Sequence, residues 1–107
     1  GRLKEIINKG GEKISPLEVD NVLMDHPLID QAVCFGYDDK MLGENIASAI
    51  IIKSGEACSE NDVLEYAQKK LAKFKIPKKI FFVEEIPKGA TGKLQRNVLA
   101  KKFGLNN

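Results

Sequence analysis

The chain reads as a small α+β domain, a three-stranded sheet packed by helices with an N-terminal hairpin ahead of it. Three observations carry that reading. Apolar runs with strand character, Ile29–Tyr37, Asn45–Lys53 and Lys79–Val83, alternate with segments of helical spacing that have their own start signals. The three strands and three helices follow one another without a βαβαβ repeat, which points to an α+β sandwich. The 107 residues, 43% hydrophobic and 30% charged, suffice for one modest core in an ordinary globule.

Taken in order, Ile6-Ile7 is a short apolar pair, Asn8-Lys9-Gly10-Gly11-Glu12-Lys13 a tight turn, and Ile14 resumes an extended run, so a hairpin is expected. Ser15-Pro16-Leu17-Glu18 is a capping signature: Ser15 as N-cap, Pro16 at the first helical position, Glu18 closing the box. The helix that follows to about Asp25 sets Leu17, Val19, Val22, Leu23 and Met24 as an apolar stripe against Asp20, Asn21 and Asp25. His26, before Pro27, reads as a C-terminal cap of this helix.

Ile29–Tyr37 and Asn45–Lys53 are expected to pair antiparallel across the connecting loop Asp38–Glu44. Ser59-Glu60-Asn61-Asp62 opens a second helix, whose apolar spacing runs to about Leu71 before Phe74-Lys75-Ile76-Pro77 breaks it. Lys79–Val83 is the third strand, and Gln95–Phe103 a short last helix.

A formal charge of +2 is too small to argue for nucleic acid or a membrane surface. The lysines do cluster, at Lys69, Lys70, Lys73, Lys75, Lys78 and Lys79 and again from Lys88 to Lys102, which marks a solvated face or a site for a polyanion. No segment approaches the roughly 20 apolar residues of a membrane helix, and no signal peptide opens the chain. Cys34 and Cys58 lack metal-type spacing, so no metal site is expected; free thiols favour a reducing setting, cytoplasmic or, in a eukaryote, peroxisomal.

The stretch Pro87-Lys88-Gly89-Ala90-Thr91-Gly92-Lys93-Leu94-Gln95-Arg96 carries the most chemistry. Two glycines let the backbone turn tightly and present Lys93 at a loop tip, where the loop enters a helix beside unpaired N–H groups. An ammonium there suits developing negative charge on a phosphate or carboxylate. The stretch is not a P-loop, which needs four residues between its glycines and Ser or Thr after the lysine; here there are two, and Leu94 follows. An ordinary solvated lysine on an exposed turn is the reading this stretch alone leaves open.

Two stretches together resemble a known family. Gly1-Arg2-Leu3-Lys4-Glu5-Ile6-Ile7-Asn8 with Gly10-Gly11-Glu12-Lys13-Ile14-Ser15-Pro16-Leu17-Glu18 is similar to the hinge and following motif of adenylate-forming enzymes, a family that includes acyl-CoA synthetases, aryl-CoA ligases and luciferases. Pro87–Arg96 resembles their last motif, with its catalytic lysine; Phe35-Gly36, Gly43-Glu44 and Phe74-Lys75-Ile76-Pro77 look like the same family. The likeness spans the chain as the family's small C-terminal domain, and the abrupt start at Gly1 looks like a cut just before the hinge.

The resemblance implies a large N-terminal domain that binds ATP, Mg2+ and a small carboxylic acid, and a lid that alternates between two half-reactions. Lys93 would assist adenylation, Lys4 would be the hinge, and Arg2 and Lys13 would contact the nucleotide. Gly10 and Gly11 would leave room for the pantetheine arm of CoA. Asn8 departs from members with a lysine there. The wording Asn8–Pro16 is similar to small-acid CoA ligases, oxalate and coumarate-like members among them. A carrier-protein thiol in place of CoA, and a non-catalytic module that holds a polyanion, are the alternatives. The piece is expected to do no chemistry by itself.

Overall fold

The computed structural model describes residues 6–87 and 96–105. Its elements are β1 (Ile7–Lys9), β2 (Glu12–Ile14), α1 (Pro16–Met24), β3 (Ile29–Asp39), β4 (Gly43–Ile52), α2 (Glu60–Lys70), β5 (Lys79–Phe82) and α3 (Arg96–Lys102).

β3 and β4 are the spine, an antiparallel pair in register from Gln31↔Ile51 to Asp39↔Gly43, with a shift between Ile29 and Gln31. They run further into the Asp38–Glu44 segment than the sequence indicates because Asp39 caps the turn. Its Oδ1 accepts from the N–H groups of Met41 and Leu42, each at 2.9 Å. Those donors hold the Asp39 carboxyl below its ordinary range.

Side-chain alternation along these strands separates two cores. Ala32, Cys34, Ile46 and Ile50 face Val19 and Leu23 of α1 and Val63 and Ala67 of α2. Val33, Phe35, Tyr37, Ala47 and Ala49 face Leu99 and Ala100 of α3. Helices therefore cover both faces of the sheet.

The α+β class stands, but the sheet is larger than three strands. The β1–β2 hairpin is not a separate appendage: β1 joins β4 at Lys9↔Gly43, giving the order β2-β1-β4-β3, with β5 also on β4. β5 runs parallel to β4 because the chain returns through α2, the kind of crossover a parallel pair requires.

α1 begins with Pro16 as expected, but the Ser15 side chain makes no capping bond. Only its backbone carbonyl accepts, from Glu18 N–H at 3.2 Å. The Glu18 carboxylate is drawn to the Lys75 ammonium at 2.9 Å, which leaves no capping box. The expected stripe also needs correction: Leu17 and Met24 are 51% and 41% exposed, while Asp20 is buried.

α2 does carry a capping box. Ser59 Oγ accepts from Asp62 N–H at 3.1 Å, and Asp62 Oδ2 accepts from Ser59 N–H at 3.0 Å. His26 caps differently from the reading above. Its backbone N–H meets the Leu23 carbonyl, but its ring Nδ1 accepts from Leu28 N–H at 3.0 Å, closing the next turn rather than the helix. Among the described residues, no helix is long and apolar enough to cross a membrane.

Candidate functional site

Gly10 and Gly11 form the two-residue tip of the β1–β2 hairpin, with φ of +58° and +92°. Two consecutive positive values are what a type I′ hairpin turn demands, and glycine takes both without strain. The two glycines differ in surroundings. A β-carbon on Gly10 would sit 3.1 Å from Leu42 Cδ2, whereas one on Gly11 would meet nothing within 4 Å.

Three contacts tie this turn to the rest of the domain. Gly10 N–H donates to the Leu42 carbonyl at 2.8 Å. Asn8 N–H donates to Glu44 Oε1 at 2.8 Å, and Lys9 Nζ donates to the Phe74 carbonyl at 3.1 Å. The glycine turn is thereby set between the β3–β4 turn and the short 3-10 turn Lys73–Lys75. Both neighbours carry exposed apolar side chains, Met41 at 93%, Leu42 at 38% and Phe74 at 37%. Partial burial and the nearby Lys78 charge lower the pKa of Lys9, against the pull of Asp39.

A second constellation lies on the outer strand. β3 pairs with β4 alone among the described strands, and at Cys34 its free-edge groups are taken by side chains. Asp20 Oδ1, from α1, accepts from Cys34 N–H at 2.6 Å. Arg96 Nη1, at the start of α3, donates to the Cys34 carbonyl at 2.9 Å and pairs with Asp20 Oδ2 at 2.7 Å. A helix from each face thus reaches round the edge and closes on one peptide, where a further strand would otherwise pair. Burial pushes the Asp20 carboxyl above its ordinary pKa, although Arg96 and the Cys34 N–H pull it back. Burial, reinforced by Asp20, raises the Cys34 thiol well above its usual value.

Of the residues the sequence singled out, the structure places Gly10 and Gly11 together at the hairpin tip. Lys13 is exposed on β2, paired across the hairpin with Asn8. Arg2, Lys4 and Lys93 lie outside the described residues; Arg96, the last residue of the Lys93 stretch, is described and opens α3. The Lys69–Lys79 run is divided among the end of α2, the 3-10 turn and the start of β5. Lys70 lies over the Tyr66 ring, Lys75 on Glu18 and Lys79 over the Tyr37 ring. Among the described residues no three His, Cys, Asp or Glu side chains converge.

Asp20, Arg96 and Glu44 escaped the sequence reading as site-forming residues. For Asp20 a signal was present. Pro16, Val19, Asp20 and Leu23 are the buried residues of α1, and they fall at i, i+3, i+4 and i+7. An acid within that face calls for a cation, and Arg96 supplies it.

Residues 18–93 match the family model described as the AMP-binding enzyme C-terminal domain. The chain is 50% identical over 103 residues to an oxalate–CoA ligase of Saccharomyces cerevisiae, covering 96% of this chain and 19% of that protein. It is 48% identical over 103 residues to an oxalate–CoA ligase of Arabidopsis thaliana, covering 96% of this chain and 20% of that one. Among solved structures, a Mycobacterium tuberculosis fatty acyl CoA synthetase superposes with a TM-score of 0.85 at 34% identity, over 99% of this chain and 21% of its own. The chain therefore spans about a fifth of the length of these relatives.

Proposed function

Because the chain belongs to the family of AMP-binding enzyme C-terminal domains, we propose that all of residues 1–107 form the lid domain of an ATP-dependent acid–CoA ligase. Its partner is a larger N-terminal domain that holds ATP, Mg2+ and the acid. The oxalate–CoA ligase relatives favour a small dicarboxylic acid as substrate. The free thiols Cys34 and Cys58 favour a cytoplasmic setting.

In the first half-reaction the acid's carboxylate attacks the α-phosphate of ATP, expelling pyrophosphate and leaving an acyl-adenylate. Two anions must approach, and the Lys93 ammonium offsets their repulsion and stabilises the charge that builds in the transition state. Arg2 and Lys13 contact the nucleotide, and the lid pivots at Lys4. In the second half-reaction the lid turns its hairpin to the active site. The CoA thiol attacks the adenylate's carbonyl carbon, expelling AMP and losing its proton to solvent or base.

The observation that carries this reading is the Gly10–Gly11 tip. Open space over Gly11 and the exposed Met41, Leu42 and Phe74 around it suit a surface that receives a slender pantetheine arm and packs on another domain.

The test uses the full-length protein and separates the half-reactions. Acid-dependent ATP–pyrophosphate exchange is expected with small dicarboxylates and lost in Lys93→Ala, while thioester formation from supplied acyl-adenylate persists. Gly11→Leu is expected to do the reverse. Gly11→Ala is its control, sharing the backbone strain at φ +92° without the bulk. The absence of exchange with every acid tried, from folded protein that binds ATP, refutes the ligase reading; equal loss of both steps in Lys93→Ala refutes that residue's role.

A further inference from the structure

β1, which leads into the glycine tip, is weakly attached to the sheet: its pairing with β4 is one residue pair, Lys9↔Gly43. One residue earlier, Asn8 N–H finds no strand carbonyl and donates instead to the carboxylate of Glu44, at 2.8 Å. The side chain of a β4 residue thus stands in for a backbone rung.

That carboxylate reaches its place across Gly36 of β3. A β-carbon on Gly36 would lie 2.8 Å from Glu44 Oε2, 3.3 Å from Glu44 Cδ and 3.3 Å from Ile7 Cγ1. Gly36 is not among the glycines with positive φ, so its backbone does not call for glycine. The missing side chain is the space in which the Glu44 carboxylate lies. Two residues on different strands, neither at the glycine tip, therefore combine to fix its base.

We infer that Glu44, seated over Gly36, is a positioning residue for the Gly10–Gly11 turn, setting its place for the thioester-forming step. This rests on the proposed role of that turn in the second half-reaction. Glu44 touches no substrate; it acts through the amide of Asn8, two residues before Gly10. A turn held 1 Å away from its working place loses rate even when every residue that meets the substrate is intact.

The experiment compares Glu44→Ala, Glu44→Gln, Gly36→Ala and the double variant Gly36→Ala/Glu44→Ala in the full-length protein. It reads hydrogen exchange of the amides of residues 7–14, thioester formation from supplied acyl-adenylate, and ATP–pyrophosphate exchange. Glu44→Ala is expected to speed hairpin exchange and slow the thioester step about tenfold, with pyrophosphate exchange, which draws on the hairpin through Lys13 alone, reduced by a smaller factor. Gly36→Ala displaces the carboxylate without removing it and is expected to do the same, the double variant being no worse than Glu44→Ala. Glu44→Gln keeps the acceptor oxygen and is expected to stay close to wild type.

Unchanged hairpin exchange in Glu44→Ala overturns the inference, as does Glu44→Gln as impaired as Glu44→Ala, or parallel loss of both half-reactions. Gly11→Leu run alongside separates two failures. A thioester step lost in Gly11→Leu but kept in Glu44→Ala overturns the positioning role alone; a step kept in both overturns the role of the turn as well.

Discussion

Replacing Arg96 by methionine removes the cation from Asp20 while keeping an unbranched apolar stem in its place. The two side chains are 10% and 4% exposed and 2.7 Å apart, so the carboxylate that remains is inside the protein, accepting from the Cys34 N–H. Breaking a buried pair in this way costs about 3–5 kcal/mol at neutral pH. The cost also depends on pH. Burial already raises the Asp20 pKa with Arg96 present, and losing Arg96 raises it further. A carboxyl whose folded pKa exceeds its unfolded value contributes stability that is present below that unfolded value, about 3.9, and lost as pH rises through the folded one. Arg96→Met is therefore expected to fall behind wild type by up to about 1.4 kcal/mol per pH unit above pH 4, levelling off once Asp20 ionises.

Urea unfolding of both proteins between pH 4 and 7.5 measures this directly. The double variant Asp20→Asn/Arg96→Met buries no charge and keeps an oxygen for Cys34 N–H, so it is expected to recover much of the loss at pH 7 and to show no such slope. A gap between Arg96→Met and wild type that is flat in pH, or smaller than about 1 kcal/mol at pH 7, would refute the account of the edge clasp.

Other effects are expected. Ser59→Ala removes one half of the α2 capping box and should cost about 1 kcal/mol in urea unfolding. The Asp62 half carries a pH signature: its carboxyl is held below the usual range by Ser59, so its contribution is present above about pH 4 and fades as pH falls through the depressed folded value, which Asp62→Asn should abolish. Phe35 is fully buried and stacked on Phe103 at 5.7 Å between ring centres, and Phe35→Ala should cost about 3–5 kcal/mol. With a thiol reagent at pH 8, Cys58 should react in the folded protein and Cys34 only after denaturant is added, since Cys34 is buried and its thiol resists ionisation.

The local elements were readable because their causes are local. Pro16 starts α1, the Ser59–Asp62 box starts α2, strand alternation assigns Ala32 and Cys34 to one face and Val33 and Phe35 to the other, and paired glycines make the turn at Gly10–Gly11. Each of these is fixed within a few residues of chain. The lysine stretch ending at Arg96 was likewise singled out by residue type and spacing, whereas the glycine tip was marked as a site only by the family resemblance.

Partners at long sequence separation were beyond that reach. Glu18 was assigned to its own helix start, yet it pairs with Lys75, 57 residues away, because an ammonium outcompetes a backbone N–H for a carboxylate. Asp20 was placed on the polar side and Arg96 among solvated basic residues. They are buried because β3 is an outer strand, and each takes one side of the Cys34 peptide. Whether the hairpin stood apart or joined the sheet turned on a single β1–β4 pair and on a carboxylate lying over Gly36. The sequence determined which segments are strands, helices and turns, because those follow from neighbouring residues; tertiary structure decided which charges are buried and what holds the hairpin, because those depend on which distant atoms the fold brings within reach.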